Sequence, residues 1–203
     1  MVQKRNMYLW ILLILLTESV WINGMHQLIF KNSCTNRENR ITEQNTELLI
    51  QKDLRCFPVP LGYRERLYFT DSYGAARGSG VHEGCDIMDR DNLPGEIPVI
   101  SATDGVITNL GWLYLGGYRI GVTSDNDIYY YYAHLDSYAA GLETGKKVKA
   151  GELLGFMGNT GEGEEGTKGR FDTHLNFGIY VRDTTGNEKT VNPYPFLLEI
   201  DEE

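Results

Sequence analysis

The sequence predicts an all-β fold, a sandwich or barrel of antiparallel strands, on three observations. Short runs rich in Tyr, Val and Ile recur from Tyr63 onward, each closed by glycine or a small polar turn. Helical periodicity is almost absent over the same stretch. The 203 residues include 23 glycines and 13 tyrosines but only six prolines, a composition of many tight turns between strands and not of a disordered chain.

The elements follow in order. Lys4 and Arg5 precede the apolar run from Met7 to Leu16, an order that predicts a signal peptide or a signal anchor over residues 1–24. Glu18 interrupts the run, yet Val20, Trp21 and Ile22 extend it, so residues 7–23 can serve as a membrane anchor. Residues 25–56 form a polar lead-in with room for one helix around Leu48, Leu49 and Leu54. Cys56-Phe57-Pro58-Val59-Pro60 stops any helix, because proline lacks the backbone donor and restrains its neighbour. A single core domain is expected from there, over residues 57–199.

Within that domain Leu67–Thr70 reads as a strand and Asp71–Gly80 as a loop. Pro98–Ala102 and Gly105–Thr108 read as a hairpin across Thr103-Asp104-Gly105. Tyr118–Thr123 and Ile128–Leu135 form a second hairpin across Ser124–Asp127, with Gly116-Gly117 as a turn before it. Two short strands flank Ala150-Gly151, a Gly- and Glu-rich loop covers Asn159–Asp172, and Thr173–Val181 is a strand. Val191-Asn192-Pro193-Tyr194-Pro195 closes the domain.

The charge balance narrows the partners. A formal net charge of -9 argues against nucleic acid, which needs clustered Lys and Arg, and gives no general attraction to anionic surfaces. Three cysteines cannot all pair within one chain. Cys34 and Cys56 can form a disulfide outside the cell, while Cys85 reads as a small buried thiol.

Chemistry points to three histidines. His82 lies four positions before Asp86 in Val81-His82-Glu83-Gly84-Cys85-Asp86-Ile87, pairing an imidazole with a hard carboxylate oxygen. Together they suit zinc, which in catalytic sites takes three protein ligands and leaves a position for water. His134 and His174 sit in strand-like segments and can act as acid, base or oxyanion partner. Strand alternation puts His174 and Asn176 on one face, with Leu175 and Phe177 on the other. The run Tyr129–Tyr132 alternates likewise, and a half-buried strand accounts for it.

Six ordered blocks carry a resemblance: His82–Ile87, Ala102–Val106, Tyr132–Leu135, Val148–Gly155, His174–Phe177 and Val191–Pro193. From about Pro58 to Pro195 the chain resembles the lysostaphin-type (LytM-like) zinc endopeptidases, metallopeptidase family twenty-three. The resemblance implies a twisted, open antiparallel β-sheet core, the duplicated hybrid motif. It implies a zinc endopeptidase acting on bacterial cell-wall peptidoglycan cross-links, outside the cytoplasm, either secreted or anchored at the cell surface. A monomer is expected. His82 and Asp86 match zinc ligands, and His134 and His174 match the catalytic histidines. The third zinc ligand of the family is a histidine where this chain has Asn176. A carboxamide oxygen is a poorer zinc donor than imidazole. The alternative is therefore a catalytically impaired relative that binds the wall or a partner as a scaffold.

Overall fold

The structure, a computed structural model, describes residues 43–78, 80–183 and 185–201. The signal or anchor segment, the first part of the lead-in and Cys34 lie outside them. Among the described residues no helix is long and apolar enough to cross a membrane.

A helix, α1 (43–53), precedes the sheet; it buries Ile50 in the core, as does Leu54 just after it. A short 3-10 turn, Leu61–Arg66, leads into β1 (Leu67–Phe69). Then come β2 (Ala76–Arg77), β3 (Gly80–Val81), β4 (Gly84–Asp89), β5 (Pro98–Ile100) and β6 (Gly105–Leu113). These are followed by β7 (Gly117–Thr123), β8 (Tyr129–Tyr138), β9 (Lys147–Val148) and β10 (Leu153–Met157). The chain closes with β11 (His174–Arg182), β12 (Glu188–Val191) and helix α2 (Tyr194–Asp201).

The main sheet runs β1-β4-β11-β8-β7-β6-β9, with antiparallel neighbours throughout. It is open, and β10 bridges β8 to β5 at one end. One face is apolar. Ile87, Ile120, Val122, Tyr130, Tyr132, Leu135, Leu175, Phe177 and Ile179 all bury there. This all-β architecture agrees with the expected twisted sheet.

Two details differ from expectation. Thr103-Asp104-Gly105 is not a hairpin: β5 pairs with β10, and β6 pairs with β7 and β9. Asp104 instead accepts from the Ala150 amide at 2.9 Å and from Lys149 Nζ. Gly105 is needed because a Cβ there would run into the Thr123 carbonyl and Val122. The stretch read as the Asp71–Gly80 loop also supplies most of a small hairpin, β2–β3, in which Ala76 pairs with Val81. Cys56 and Cys85 are free thiols. Cys56 Sγ points at the Ser101 carbonyl, 3.3 Å away, and burial pushes Cys85 up to about 12.

Candidate active site

The site is built on the face of the sheet opposite the core. In β4 and β11, Asn176 is the register partner of Asp86, and His174 that of Met88. Both Asp86 and Asn176 therefore stand on the same face of neighbouring strands. Asn176 leans over Gly84, where any Cβ would collide with its Oδ1 and with the Phe177 carbonyl. Gly84 is thus a steric requirement of Asn176.

His134 reaches the same face by a bulge. Tyr130 and Tyr132 point into the core, and strict alternation would send His134 after them. The β7–β8 register shifts instead, from Tyr118↔Leu135 to Ile120↔Tyr132, so Ala133 and His134 together face Arg119. His134 takes φ 62, a left-handed conformation costing roughly 1–3 kcal/mol in a non-glycine residue. The outcome is that Leu135 fills the core and His134 enters the groove.

Each imidazole is oriented by a backbone carbonyl. His82 Nδ1 lies 2.9 Å from the Ser72 oxygen, His134 Nδ1 2.8 Å from that of Thr160, and His174 Nδ1 2.7 Å from that of Asp172. A carbonyl only accepts, so each Nδ1 donates and each neutral ring leaves Nε2 as an acceptor. His82 Nε2 lies 3.1 Å and His174 Nε2 3.6 Å from Asp86 Oδ1. The two rings His134 and His174 stand 4.6 Å apart, and Phe171 meets both edge-on.

Four of these atoms are buried and lack a hydrogen-bond partner: His82 Nε2, Asp86 Oδ1, His174 Nε2 and Asn176 Oδ1. All four are acceptors in the neutral-ring state. Buried polar atoms are normally paired, so a cluster of acceptors facing no donor fits a cation. Among the described residues no three His, Cys, Asp or Glu side chains group as a metal cluster.

Electrostatics follow from burial and these contacts. Burial alone would raise the Asp86 carboxyl, but His82, His174 and Arg77 more than offset it and hold it well below the usual range. Arg77, on β2, pairs with the other oxygen, Oδ2. Burial pulls His82 down, yet the Asp86 carboxylate close by brings it above its ordinary value. His134 falls to about 3, through burial first and His174 second. Burial also lowers His174.

The groove has a cavity of about 480 Å³, and His82, His134, His174 and Asn176 all line it. A family model described as Peptidase family M23 matches residues 80–193. The chain belongs to this family. It is 40% identical over 145 residues to an L-Ala--D-Glu endopeptidase of Bacillus subtilis, a match covering 70% of this chain and 42% of that protein. A solved structure from Ruminococcus gnavus, provisionally named a glycyl-glycine endopeptidase, shares 49% identity at a TM-score of 0.69. That match covers 74% of this chain and 62% of the other. The structure of the antimicrobial peptidase lysostaphin from Staphylococcus simulans shares 25% identity at a TM-score of 0.52, over 72% of this chain and 55% of that one. The chain thus spans less than two thirds of these M23 relatives.

The structure brings all five sequence-derived residues, His82, Asp86, His134, His174 and Asn176, to this one M23 groove. Sequence reasoning missed Arg77, Phe171 and the carbonyls of Ser72, Thr160 and Asp172. No side-chain pattern signals an accepting backbone carbonyl. Arg77 shows only as an isolated cation just before the motif.

Proposed function

We propose that the chain is a zinc-dependent endopeptidase that hydrolyses peptide bonds of bacterial cell-wall cross-links. His82, Asp86 and Asn176 are its metal ligands, and His134 and His174 its catalytic pair. The observation that carries this reading is the cluster of buried acceptors without donors beside two neutral imidazoles. When bound, zinc supplies polarisation of the scissile carbonyl and lowers the pKa of the attacking water.

The chain's own residues divide the remaining work. Arg77 occupies Asp86 Oδ2 and leaves Oδ1 free. Gly84 leaves room for the Asn176 carboxamide. His134 is kept neutral by burial, and the Thr160 carbonyl fixes its tautomer, so its Nε2 can accept a proton from water and return it to the leaving amine. His174, held by the Asp172 carbonyl, presents a second Nε2 to orient that water. Phe171 covers both rings and limits access of bulk solvent.

The wall substrate is supported by the names of the relatives, one of which specifies a D-amino acid. Those names divide over the bond, between L-Ala–D-Glu and Gly–Gly. The basic-then-apolar N-terminus supports action outside the cytoplasm. The test is release of new amino termini from purified bacterial walls by the zinc-loaded full chain. His134→Ala is expected to lower the rate roughly 100-fold or more. Equal release from both proteins would remove His134 from the chemistry, and no release from the unaltered chain would end the hydrolase reading.

A further inference from the structure

Arg119 is a cation of β7 in a chain whose formal charge is -9. Arg64, Arg66, Arg77 and Arg182 each reach a carboxylate. Among the described residues Arg119 makes no such pair, and its Nη1 is shielded from water without a hydrogen-bond partner. Arg119 is half-buried, and a guanidinium nitrogen held away from water without an acceptor is unfavourable until one arrives.

Its position gives the missing anion a source. Arg119 is the residue across the bulge from Ala133 and His134, one strand from the proposed catalytic base. It lines a second cavity that shares Leu113, Tyr129, Tyr180 and Glu188 with the groove of the histidines. Between the two lies a floor of Tyr129, Tyr131 and Tyr180, packed ring to ring. Glycines make this floor possible: a Cβ at Gly121 would strike the Tyr129 ring, and one at Gly116 the Tyr131 hydroxyl. Burial raises all three phenols, so the floor stays neutral and adds no anion of its own. Two acids line the second cavity. Asp127 lies 3.9 Å from Arg182, and Glu188 makes no ion pair with Arg119.

We infer that Arg119 receives a free carboxylate of the substrate peptide and thereby determines specificity. This rests on the endopeptidase reading and adds a substrate class to it. A glutamyl residue keeps one free carboxylate whichever of its two carboxyls continues the chain; a glycyl residue within a chain has none. Of the two bonds named for relatives, Arg119 therefore favours the one that involves glutamate. Guanidinium and carboxylate match as a two-pronged pair, which Lys reproduces only as a point charge.

The test uses the zinc-loaded full chain and two synthetic L-Ala–D-Glu peptides, extended by one residue, that differ only in carrying the free carboxylate or its carboxamide. The unaltered chain is expected to prefer the carboxylate by about tenfold or more in kcat/KM, the span of a charged hydrogen bond. In Arg119→Gln that ratio should collapse towards one through KM, with Arg119→Lys intermediate and all three proteins melting alike. A ratio near one in the unaltered chain, or a ratio retained in Arg119→Gln, overturns the inference. Calorimetric binding of the same peptides separates it from the hydrolase reading. Carboxylate-selective binding lost in Arg119→Gln upholds the subsite even if neither peptide is cut. Cleavage of both peptides at equal rates upholds the hydrolase and removes the subsite.

Discussion

Strand β11 has two faces that obey different rules. On one face Leu175, Phe177 and Ile179 are fully buried among other apolar side chains. Phe177 packs against Tyr130 and Tyr132 of the next strand, and the Tyr132 hydroxyl accepts from the Ala102 amide at 2.9 Å. On the other face His174 and Asn176 leave Nε2 and Oδ1 buried and unpaired. One strand thus satisfies its surroundings on the core side and leaves acceptors open on the groove side. The core face is therefore built for stability and the groove face for a ligand, at some expense in stability.

The comparison breaks first at Phe177. Phe177→Ala should lower unfolding free energy by about 3–5 kcal/mol, read by chemical denaturation, because the cavity lies in a packed core. Asn176→Ala, one residue away, should change stability by less than about 1 kcal/mol in metal-free protein. Similar losses from both would show that the two faces do not differ in kind.

Gly84 sharpens the same contrast, since it lies in a core-forming strand but serves the groove. Gly84→Ala drives a methyl into Asn176 Oδ1 and the Phe177 carbonyl. It should cost about 1–3 kcal/mol in stability and weaken zinc binding in the folded fraction. Unchanged zinc affinity would separate Asn176 from the metal.

The smallest expected effect is at the bulge. His134 holds a left-handed backbone, so His134→Gly should be more stable than His134→Ala by about 1 kcal/mol, measured by denaturation. Equal stabilities would mean that the chain relaxes there without strain.

The core face was legible in β11, where Leu175, Phe177 and Ile179 alternate with other residues, whereas the four successive tyrosines of β8 leave the choice of face open. The β7–β8 hairpin was legible as well, through Ser124–Asp127, where the Ser124 amide donates to the Ile128 carbonyl and Asp127 takes φ 58. The Asp-Gly signal at Asp104-Gly105 misled for a tertiary reason. Asp104 is occupied by Lys149 and Ala150, distant in sequence, and Gly105 answers crowding by β7. Helix α2 went unseen behind Pro193 and Pro195, although Phe196 and Leu197 bury on the core.

For the site, residue types and family pattern were enough to name His82, Asp86, His134, His174 and Asn176. The geometry that makes them usable was not. The bulge that turns His134 depends on a one-residue register shift, and the orienting carbonyls have no side-chain signature. Arg77 and Arg119 are single cations, whose meaning appears only when β2 and β7 place them beside the groove.

The proposed hydrolase requires that this groove hold a metal through His82, Asp86 and Asn176. Zinc content of the purified full chain after zinc loading and desalting tests it most directly, beside Asp86→Ala and Asn176→His. About one equivalent is expected in the unaltered chain and almost none in Asp86→Ala. Asn176→His should bind roughly tenfold tighter or more, since imidazole is the better zinc donor. Less than about a tenth of an equivalent in the unaltered chain, or a content indifferent to Asp86→Ala, would exclude metal binding by this set.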